Sequence, residues 1–299
     1  MKKLFYAFLS FLLLGFFGSC NQTDNASNNE DSTALKLAVL PTMDCLPFYY
    51  ADSLGLFDSL GVNIRLITFD AAMDADTAFR NGDVDGIVSD LVKMCVWRGN
   101  GDSITLAMGG DMNMWLVTAM NARLLKTESI KEKIIGITRH SSEDFFADKI
   151  LESVKLQSTD LNKPQINNIV LRTLMVDQNQ YDGALLPEPY ASEAVARGAK
   201  RLTGVKELNL NPLMTVLFHD SIAKAHKEEL DQLAKIYDMA VDAINNDTVN
   251  YVLNFLPKDR TVYVPDTLYT PYKFNHSTMP SDSMVQVVQK WAKGRALIK

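Results

Sequence analysis

Acidic side chains follow two apolar segments of similar pattern, and carboxylates at such positions can bind a molecule that carries hydrogen-bond donors. Residues 182–190 (DGALLPEPY) follow a segment compatible with a helix, and their Asp-Gly pair predicts a turn before a short buried strand that Pro187 ends. Glu188 comes directly after this strand. Residues 85–90 (DGIVSD) have the same order and end in Asp90. We therefore expect two similar α/β lobes, each with an acid at the carboxyl end of a strand.

The elements that would position these acids alternate between strands and helices. The predicted strands lie at 34–40, 63–68, 86–89, 104–107, 115–120, 134–138, 168–171, 183–186 and 214–218. The predicted helices lie at 47–56, 74–80, 90–98, 142–154, 172–181, 189–198, 227–245, 249–255 and 284–293. This spacing is typical of βαβ units, so an α/β fold with mostly parallel sheets flanked by helices is expected. The late helices are expected to pack back over an earlier sheet.

The charge balance excludes one broad class of function. The 299 residues include 30 Lys and Arg against 36 Asp and Glu, a formal net charge of −6. Without residues 1–19, which contain Lys2 and Lys3, the balance becomes 28 basic against 36 acidic side chains, a net charge of −8. Broad nucleic-acid binding would require a basic face, so no nucleic-acid partner is expected.

The N-terminus has the pattern of an export signal. Two lysines precede an apolar run at 4–17, which is shorter than the roughly 20 residues that a membrane-spanning helix needs. Gly18 and Ser19 before Cys20 resemble a bacterial lipobox, which predicts a signal peptide at 1–19 and lipid attachment to the Cys20 thiol. An uncleaved anchor is the alternative, and either arrangement places the protein outside the inner membrane. Residues 20–33 are nearly all polar and are predicted to be a flexible tether.

Four motifs, in order, resemble a known family. They are 54–57 (LGLF) with 61–64 (GVNI), 81–86 (NGDVDG), 136–142 (GITRHSS), and 186–190 (LPEPY) with 198–200 (GAK). Together they resemble the substrate-binding proteins of nitrate-, sulfonate- and taurine-type ABC importers, which have the type II periplasmic binding protein fold. This group also contains binders of thiamine-pyrimidine precursors. The resemblance covers residues 35–256.

The resemblance implies two lobes joined by two crossover strands, with a small-molecule ligand bound in the cleft between them. Lobe one is expected to comprise residues 34–113 and 214–299, and lobe two residues 114–213. Closure of the lobes is expected to present the protein to the permease and ATPase subunits of an importer.

In open α/β sheets, ligands bind beyond the carboxyl ends of strands, where helix N-termini offer free N–H groups. This rule selects the following candidate ligand-binding residues: Thr42, Asp44, Phe48, Phe69, Asp70, Ser89, Asp90, Asn113, Arg139, Ser141, Ser142, Glu188 and Tyr190. Four of them are acids, and one, Arg139, is a base. Buried like charges repel each other, so this set favours a ligand with amino or amide donors, such as an aminopyrimidine stacked on an aromatic ring, over a bare sulfonate or nitrate.

Each charged candidate also has a structural interpretation. Asp44, Asp70 and Asp90 could be helix N-caps, because Asp is among the preferred cap residues. Glu188 could accept hydrogen bonds from the helix that follows it. Arg139 could be either an anion clamp or a solvated surface charge.

The remaining reactive residue types do not indicate catalysis or a cofactor. His140 and Ser141 could form a base and a nucleophile, but adjacent residues rarely point the same way, and the Gly-x-Ser-x-Gly pattern is absent from the sequence. The other histidines, His219, His226 and His276, show no metal-ligand spacing. No metal site is therefore expected.

After lipidation of Cys20, two cysteines remain, Cys45 and Cys95. Two distant cysteines cannot build a disulfide scaffold or a metal site alone, so buried thiols or a single bridge are the alternatives.

These features together predict a lipid-anchored substrate-binding subunit of an ABC importer, without catalysis, at the periplasmic or extracellular face of the cell envelope. One alternative is an enzyme on the same fold, such as a pyrimidine-precursor synthase or a dehydratase of menaquinone biosynthesis, but these work in the cytosol and need no lipobox. A sensor lipoprotein that binds its ligand without a permease is the other.

Overall fold

The computed structural model describes residues 33–246 and 273–299. The predicted signal peptide, Cys20, all but the last residue of the predicted tether and the predicted helix at 249–255 lie outside the described residues.

The strands of the described residues form two sheets. In chain order the strands are β1 (Leu35–Val39), β2 (Ile64–Thr68), β3 (Gly86–Asp90), β4 (Ile104–Gly110), β5 (Met114–Thr118), β6 (Ile135–Gly136), β7 (Gly183–Pro187), β8 (Lys200–Gly204) and β9 (Met214–His219). The first sheet has the order β2-β1-β3-β9-β4, and the second has the order β6-β7-β5-β8. Both sheets are mixed: all strands of a sheet run in one direction except β9 in the first and β5 in the second, so three of the seven strand pairs are parallel and four are antiparallel.

Helices flank both sheets. In chain order they are α1 (Leu46–Ser53), α2 (Leu56–Ser59), α3 (Ala72–Asn81), α4 (Leu91–Gly99), α5 (Ser142–Ser153), α6 (Ile169–Asp177), α7 (Tyr190–Ala196), α8 (Asp220–Ala225), α9 (Lys227–Leu230), α10 (Leu233–Asn246) and α11 (Asp282–Gly294). Among the described residues, no helix is both long and apolar enough to cross a membrane.

The central strands are largely apolar and buried, as expected of strands covered by helices on both faces. Leu37, Ala38 and Val39 of β1 have no exposed surface, and neither do Ala184 and Leu185 of β7. Full burial of a Val or Leu side chain stabilises the fold by roughly 1.5–3 kcal/mol. These two strands therefore hold rigidly the chain segments that follow them.

The chain passes twice between the sheets, from β4 to β5 and from β8 to β9. The predicted α/β fold with two lobes and two crossover connections is therefore confirmed. The exact lobe boundaries stay a prediction.

The C-terminal helices pack on the helices of the first sheet. α10 packs against α1, where the rings of Phe48 and Tyr237 lie 5.3 Å apart, and α11 packs against α4. The Trp291 indole on α11 also donates a hydrogen bond of 2.8 Å to Asp148 on α5, beside the second sheet. We call each sheet with its flanking helices a layer. The late helices thus cover the first layer, and α11 contacts both layers.

Two predicted elements are wrong, and one strand was not predicted. The predicted strand at 168–171 is the start of α6, because the Asn168 side chain accepts a hydrogen bond of 2.9 Å from Leu171 N and caps the helix. β8 was not predicted, since its sequence KRLTG is polar and its residues are mostly part-exposed. The predicted helix at 227–245 is divided into α9 and α10.

The described cysteines Cys45 and Cys95 are buried free thiols, so they form no bridge.

Candidate ligand-binding cavity

A cavity of about 80 Å³ lies between the two sheets, and we call it the central cavity. Its polar lining residues are Thr42, Asp44, Asp76, Ser89, Asp90, Lys93, Thr138, Ser141, Ser142 and Glu143. Its apolar lining residues are Leu40, Cys45, Ala72, Ala75, Ile87, Val88, Met112, Met114, Ile169, Pro187 and Met214. The lining includes the carboxyl end of β3 and the start of α5, so both layers contribute to it. Six of the thirteen predicted binding residues line this cavity: Thr42, Asp44, Ser89, Asp90, Ser141 and Ser142.

Asp90 joins the two layers. β3 ends at Asp90, and its side chain caps α4 by accepting a hydrogen bond of 3.0 Å from Lys93 N. The same oxygen, Oδ1, accepts hydrogen bonds of 3.0 Å from Ser142 N and from Ser142 Oγ at the start of α5. The predicted capping role is therefore confirmed, and the cap also bonds to the opposite layer.

Ser141 has a structural role at the start of α5. Its hydroxyl donates a hydrogen bond of 2.7 Å to the Thr138 carbonyl and accepts one of 3.2 Å from Glu143 N. These bonds make Ser141 the N-cap of α5. Ser89, in contrast, has a buried hydroxyl oxygen without a hydrogen-bond partner among the described residues.

Asp44 carries an unusually basic carboxylate. It lies inside a 3₁₀ turn (Met43–Cys45) whose N-cap is Thr42, so the predicted capping role of Asp44 is wrong. Its Oδ1 accepts a hydrogen bond of 2.8 Å from Asn113 N. Burial raises the pKa of Asp44 to about 7, against the lowering effect of this hydrogen bond, and the nearby carboxylates of Glu188 and Asp111 raise it further.

Asp76 and Lys93 form an ion pair that was not predicted. Lys93 Nζ lies 2.6 Å from Asp76 Oδ2, and the Lys93 side chain is only 9% exposed. Burial lowers the pKa of Lys93, but the carboxylates of Asp76 and Asp90 outweigh this effect and raise it, so Lys93 is charged. Both residues belong to the early turns of helices that follow strands. The sequence pattern selects only the residues nearest the strand ends, so it misses this pair.

A second unpredicted ion pair joins Glu143 to Arg172. The guanidinium binds the carboxylate through two contacts, of 2.6 Å and 2.8 Å. The Arg172 side chain has no exposed surface. This paired arrangement fixes the carboxylate of Glu143 and neutralises its charge.

Comparison with known proteins identifies the family. The model of the NMT1-like family matches residues 28–252, about three quarters of the chain. The chain belongs to the NMT1-like family. The resemblance seen in the motifs is therefore confirmed. A search of curated protein sequences gave no match.

Solved structures similar to this NMT1-like protein share its fold at low sequence identity. The periplasmic aliphatic sulphonate binding protein SsuA of Escherichia coli has a TM-score of 0.72 and 15% identity, covering 89% of this chain and 88% of that chain. The alkanesulfonate-binding protein SsuA of Xanthomonas axonopodis, bound to MOPS, has a TM-score of 0.71 and 16% identity, covering 89% and 94%. The periplasmic nitrate-binding protein NrtA of Synechocystis has a TM-score of 0.70 and 12% identity, covering 89% and 82%.

Seven predicted residues of the NMT1-like protein do not line the central cavity: Phe48, Phe69, Asp70, Asn113, Arg139, Glu188 and Tyr190. Phe48 and Tyr190 are almost completely buried in hydrophobic clusters. Phe69 is partly buried and packs against a third cluster. Their side chains contribute to the core, which removes the predicted aromatic stacking surface from the cavity.

The polar residues of this set are held by other contacts. Asn113 contributes its backbone N–H to Asp44. The guanidinium of Arg139 donates hydrogen bonds of 3.0 Å and 2.9 Å to the Lys163 carbonyl. The N-cap of α3 is Ala71, so the predicted capping role of Asp70 is also wrong. The ligand-binding role of this set stays a prediction.

Both carboxylate oxygens of Glu188 bond to residues of the second layer. Its Oε2 accepts a hydrogen bond of 3.0 Å from Ser192 N on α7, as the structural interpretation expects. Its Oε1 pairs with the guanidinium of Arg201 on β8. The backbone oxygen of Glu188 accepts a hydrogen bond of 2.8 Å from Met43 N, so this segment still contacts the first layer.

The described residues contain no group of three or more His, Cys, Asp and Glu side chains arranged to hold a metal ion. His219 stacks on Phe79 with ring centroids 4.3 Å apart, and the imidazole nitrogens of His226 and His276 contact Glu229 and Asp242.

Proposed function

We propose that the protein is the solute-binding component of an ABC importer, which captures a small polar molecule in the central cavity and presents it to a permease. One observation carries this proposal: Asp90 at the end of β3 bonds to Ser142 at the start of α5. The cavity is thus enclosed by segments of two different sheets. A solute bound there contacts both layers at once.

Closure of the two layers around the solute is the proposed mechanism. A solute that contacts both layers stabilises the closed arrangement by its difference in affinity for the closed and open states, and by no more than that. The chain crosses between the layers twice, at 111–113 and 205–213, so these short connections are the proposed hinge. Binding in this mechanism changes the surface offered to a permease and requires no catalysis.

The structural neighbours support a transport role, since they include sulfonate- and nitrate-binding proteins of the periplasm. The lining supports a solute that carries hydrogen-bond donors, such as an aminopyrimidine-type compound, over a sulfonate-type compound, because four lining residues are acids.

We further propose that the protein is a lipoprotein anchored through Cys20 at the periplasmic or extracellular face. The sequence of residues 1–20 supports this, with two lysines, an apolar run and small residues before the cysteine. Cells that express the protein should incorporate a clickable palmitate analogue into it, and Cys20→Ser should abolish labelling. Cys95→Ser is the matched control and should leave labelling unchanged. Equal labelling of the wild type and the Cys20→Ser variant would contradict the anchor.

The proposed function is tested by native mass spectrometry of the full-length chain released from its own cell envelope. A bound small molecule of fixed mass should accompany the chain, and the same molecule added back should bind at a ratio of one to one. Recovery of the added molecule in chemically altered form would argue instead for an enzyme on this fold. Binding without association with a permease and an ATPase in cross-linked membranes would argue for a sensor.

A further inference from the structure

The N-termini of α4 and α5 meet at the central cavity, and such an arrangement ordinarily forms an anion-binding site. Helix N-termini present free N–H groups and a partial positive charge. In this protein, one N–H group of each helix N-terminus already donates a hydrogen bond to a side chain of the protein. Asp90 Oδ1 accepts Lys93 N from α4 and Ser142 N from α5, both at 3.0 Å. The carboxylate of the protein itself thus lies where the oxygen of a bound oxyanion would otherwise lie.

The charges of the lining are unbalanced. Of the four acids, Glu143 is paired with Arg172 and Asp76 with Lys93. Asp44 and Asp90 form no ion pair with any Lys or Arg among the residues that the structure describes. Lys93 also interacts with the Asp90 carboxylate, but it is already paired with Asp76, so the four acids face two cations and the excess negative charge would repel a further anion.

The environment of Asp44 agrees with this imbalance. Its carboxylate is partly buried and accepts its hydrogen bond from a neutral backbone N–H, at 2.8 Å. Burial without a cation raises its pKa to about 7. A positively charged ligand would lower that pKa, whereas an anion would raise it further.

The size and the walls of the cavity limit the rest of the ligand. A volume of about 80 Å³ is small against the roughly 300–1,000 Å³ of typical ligand pockets. The methionines Met112, Met114 and Met214 form part of an apolar wall. The unpartnered hydroxyl of Ser89 offers one further hydrogen bond. These features suit a ligand with one charged group and a short apolar part.

We propose that the central cavity binds a small organic cation of the ammonium class, with Asp44 and Asp90 as its anionic partners, and that it excludes sulfonates and nitrate. This inference rests on the proposed function, because it specifies the solute of the same cavity.

Titration calorimetry on the full-length chain in mild detergent, at pH 8 and fixed ionic strength, tests this inference. The probes are primary alkylammonium ions of two to six carbons, alkanesulfonates of the same lengths, nitrate, and the uncharged 4-aminopyrimidine. Saturable binding of at least one ammonium ion is expected, at least tenfold tighter than any other probe. Asp44→Asn should weaken that binding at least tenfold. Asp83→Asn is the matched control, since it removes one exposed carboxylate outside the lining, and it should change affinity less than twofold.

Several outcomes would overturn the inference: tightest binding of a sulfonate, nitrate or 4-aminopyrimidine, an Asp44→Asn variant that binds ammonium as well as the wild type, or no ammonium binding at 50 mM. One-to-one binding of an uncharged or anionic probe that is tighter than that of every ammonium ion would overturn the cation preference and leave the proposed function standing. If no probe binds and no solute accompanies the chain from its envelope, both fail.

Discussion

Replacing Asp44 with asparagine should remove a pH-dependent destabilisation of the folded protein, which arises from ionisation of the buried carboxylate. The substitution keeps a side-chain oxygen that can accept the hydrogen bond from Asn113 N, and it removes the ionisable group. In the folded protein the pKa of Asp44 is about 7, compared with an ordinary value of 3.8. The folded state therefore binds more protons than the unfolded state between pH 4 and pH 7, so the wild type loses stability as the pH rises through this window.

The size of the effect follows from the shift in pKa. Each pKa unit corresponds to about 1.4 kcal/mol, and roughly two of the three units lie between pH 5 and the folded pKa. The free energy of unfolding of the wild type, measured relative to Asp44→Asn, should therefore fall by about 2.5 kcal/mol between pH 5 and pH 8. Opening of the cleft would hydrate the carboxylate and reduce the shift in its pKa, so about 2.5 kcal/mol is the upper limit of the effect.

Urea denaturation of both proteins at pH 5, 6, 7 and 8 measures this difference. Asp44→Asn should be the more stable protein at pH 8, and its advantage should shrink steadily towards pH 5. Asp83→Asn is the control, because Asp83 is an exposed carboxylate outside the cavity lining, and its pH profile should match that of the wild type. A stability difference between wild type and Asp44→Asn that is the same at pH 5 and pH 8 would refute the reasoning.

Two further substitutions and one thiol reagent test the packing of the fold. Arg172→Met should destabilise the fold by about 3–5 kcal/mol in urea, because it leaves Glu143 without its cation, and adding Glu143→Gln should recover part of the loss. Gly183→Ala should cost at least 1–3 kcal/mol, because its Cβ would lie 2.4 Å from the Val117 carbonyl oxygen. Cys95 should react with a thiol reagent only on unfolding, since burial raises its pKa to about 12.

Each of these tests has its own contradicting result. Arg172→Met alone should be clearly less stable than the double variant, and equal stabilities would remove the ion-pair argument. Gly294→Ala is the control for Gly183→Ala, because no atom lies within 4 Å of its added Cβ. Similar effects of the two glycine variants would contradict the close approach of β5 and β7. Rapid labelling of Cys95 at neutral pH in the folded protein would contradict its burial.

The fold and the position of Asp90 in the site could be predicted because they depend on short-range sequence patterns. The Asp-Gly turns and buried runs before Asp90 and Glu188 predict β3 and β7, and both strands form with an acid at or just beyond the end. Asp90 lies directly before α4, and this position makes it both the N-cap of α4 and a lining residue of the central cavity. Its role could therefore be predicted from its place in the sequence.

The rest of the site depends on contacts between distant segments. Glu188 pairs with Arg201 because β8 lies beside β5, and the polar sequence of β8 gave no sign of a strand. The sequence pattern predicts Arg172 as the first residue of a helix at 172–181, and nothing in that pattern indicates that it is a fully buried partner of Glu143. Lys93 pairs with Asp76 of another helix. Sequence spacing carries no information on which charges are paired, and pairing decides the net charge of the cavity.

Hydrogen exchange measured by mass spectrometry, with and without the solute that accompanies the protein from its envelope, tests the central claim most directly. A solute held in the central cavity should slow exchange at the starts of α4 and α5 together, since these segments belong to different layers and both line the cavity. Slower exchange at both segments is the expected result. Protection confined to one layer, or found only away from the central cavity, would contradict capture of the solute between the two sheets.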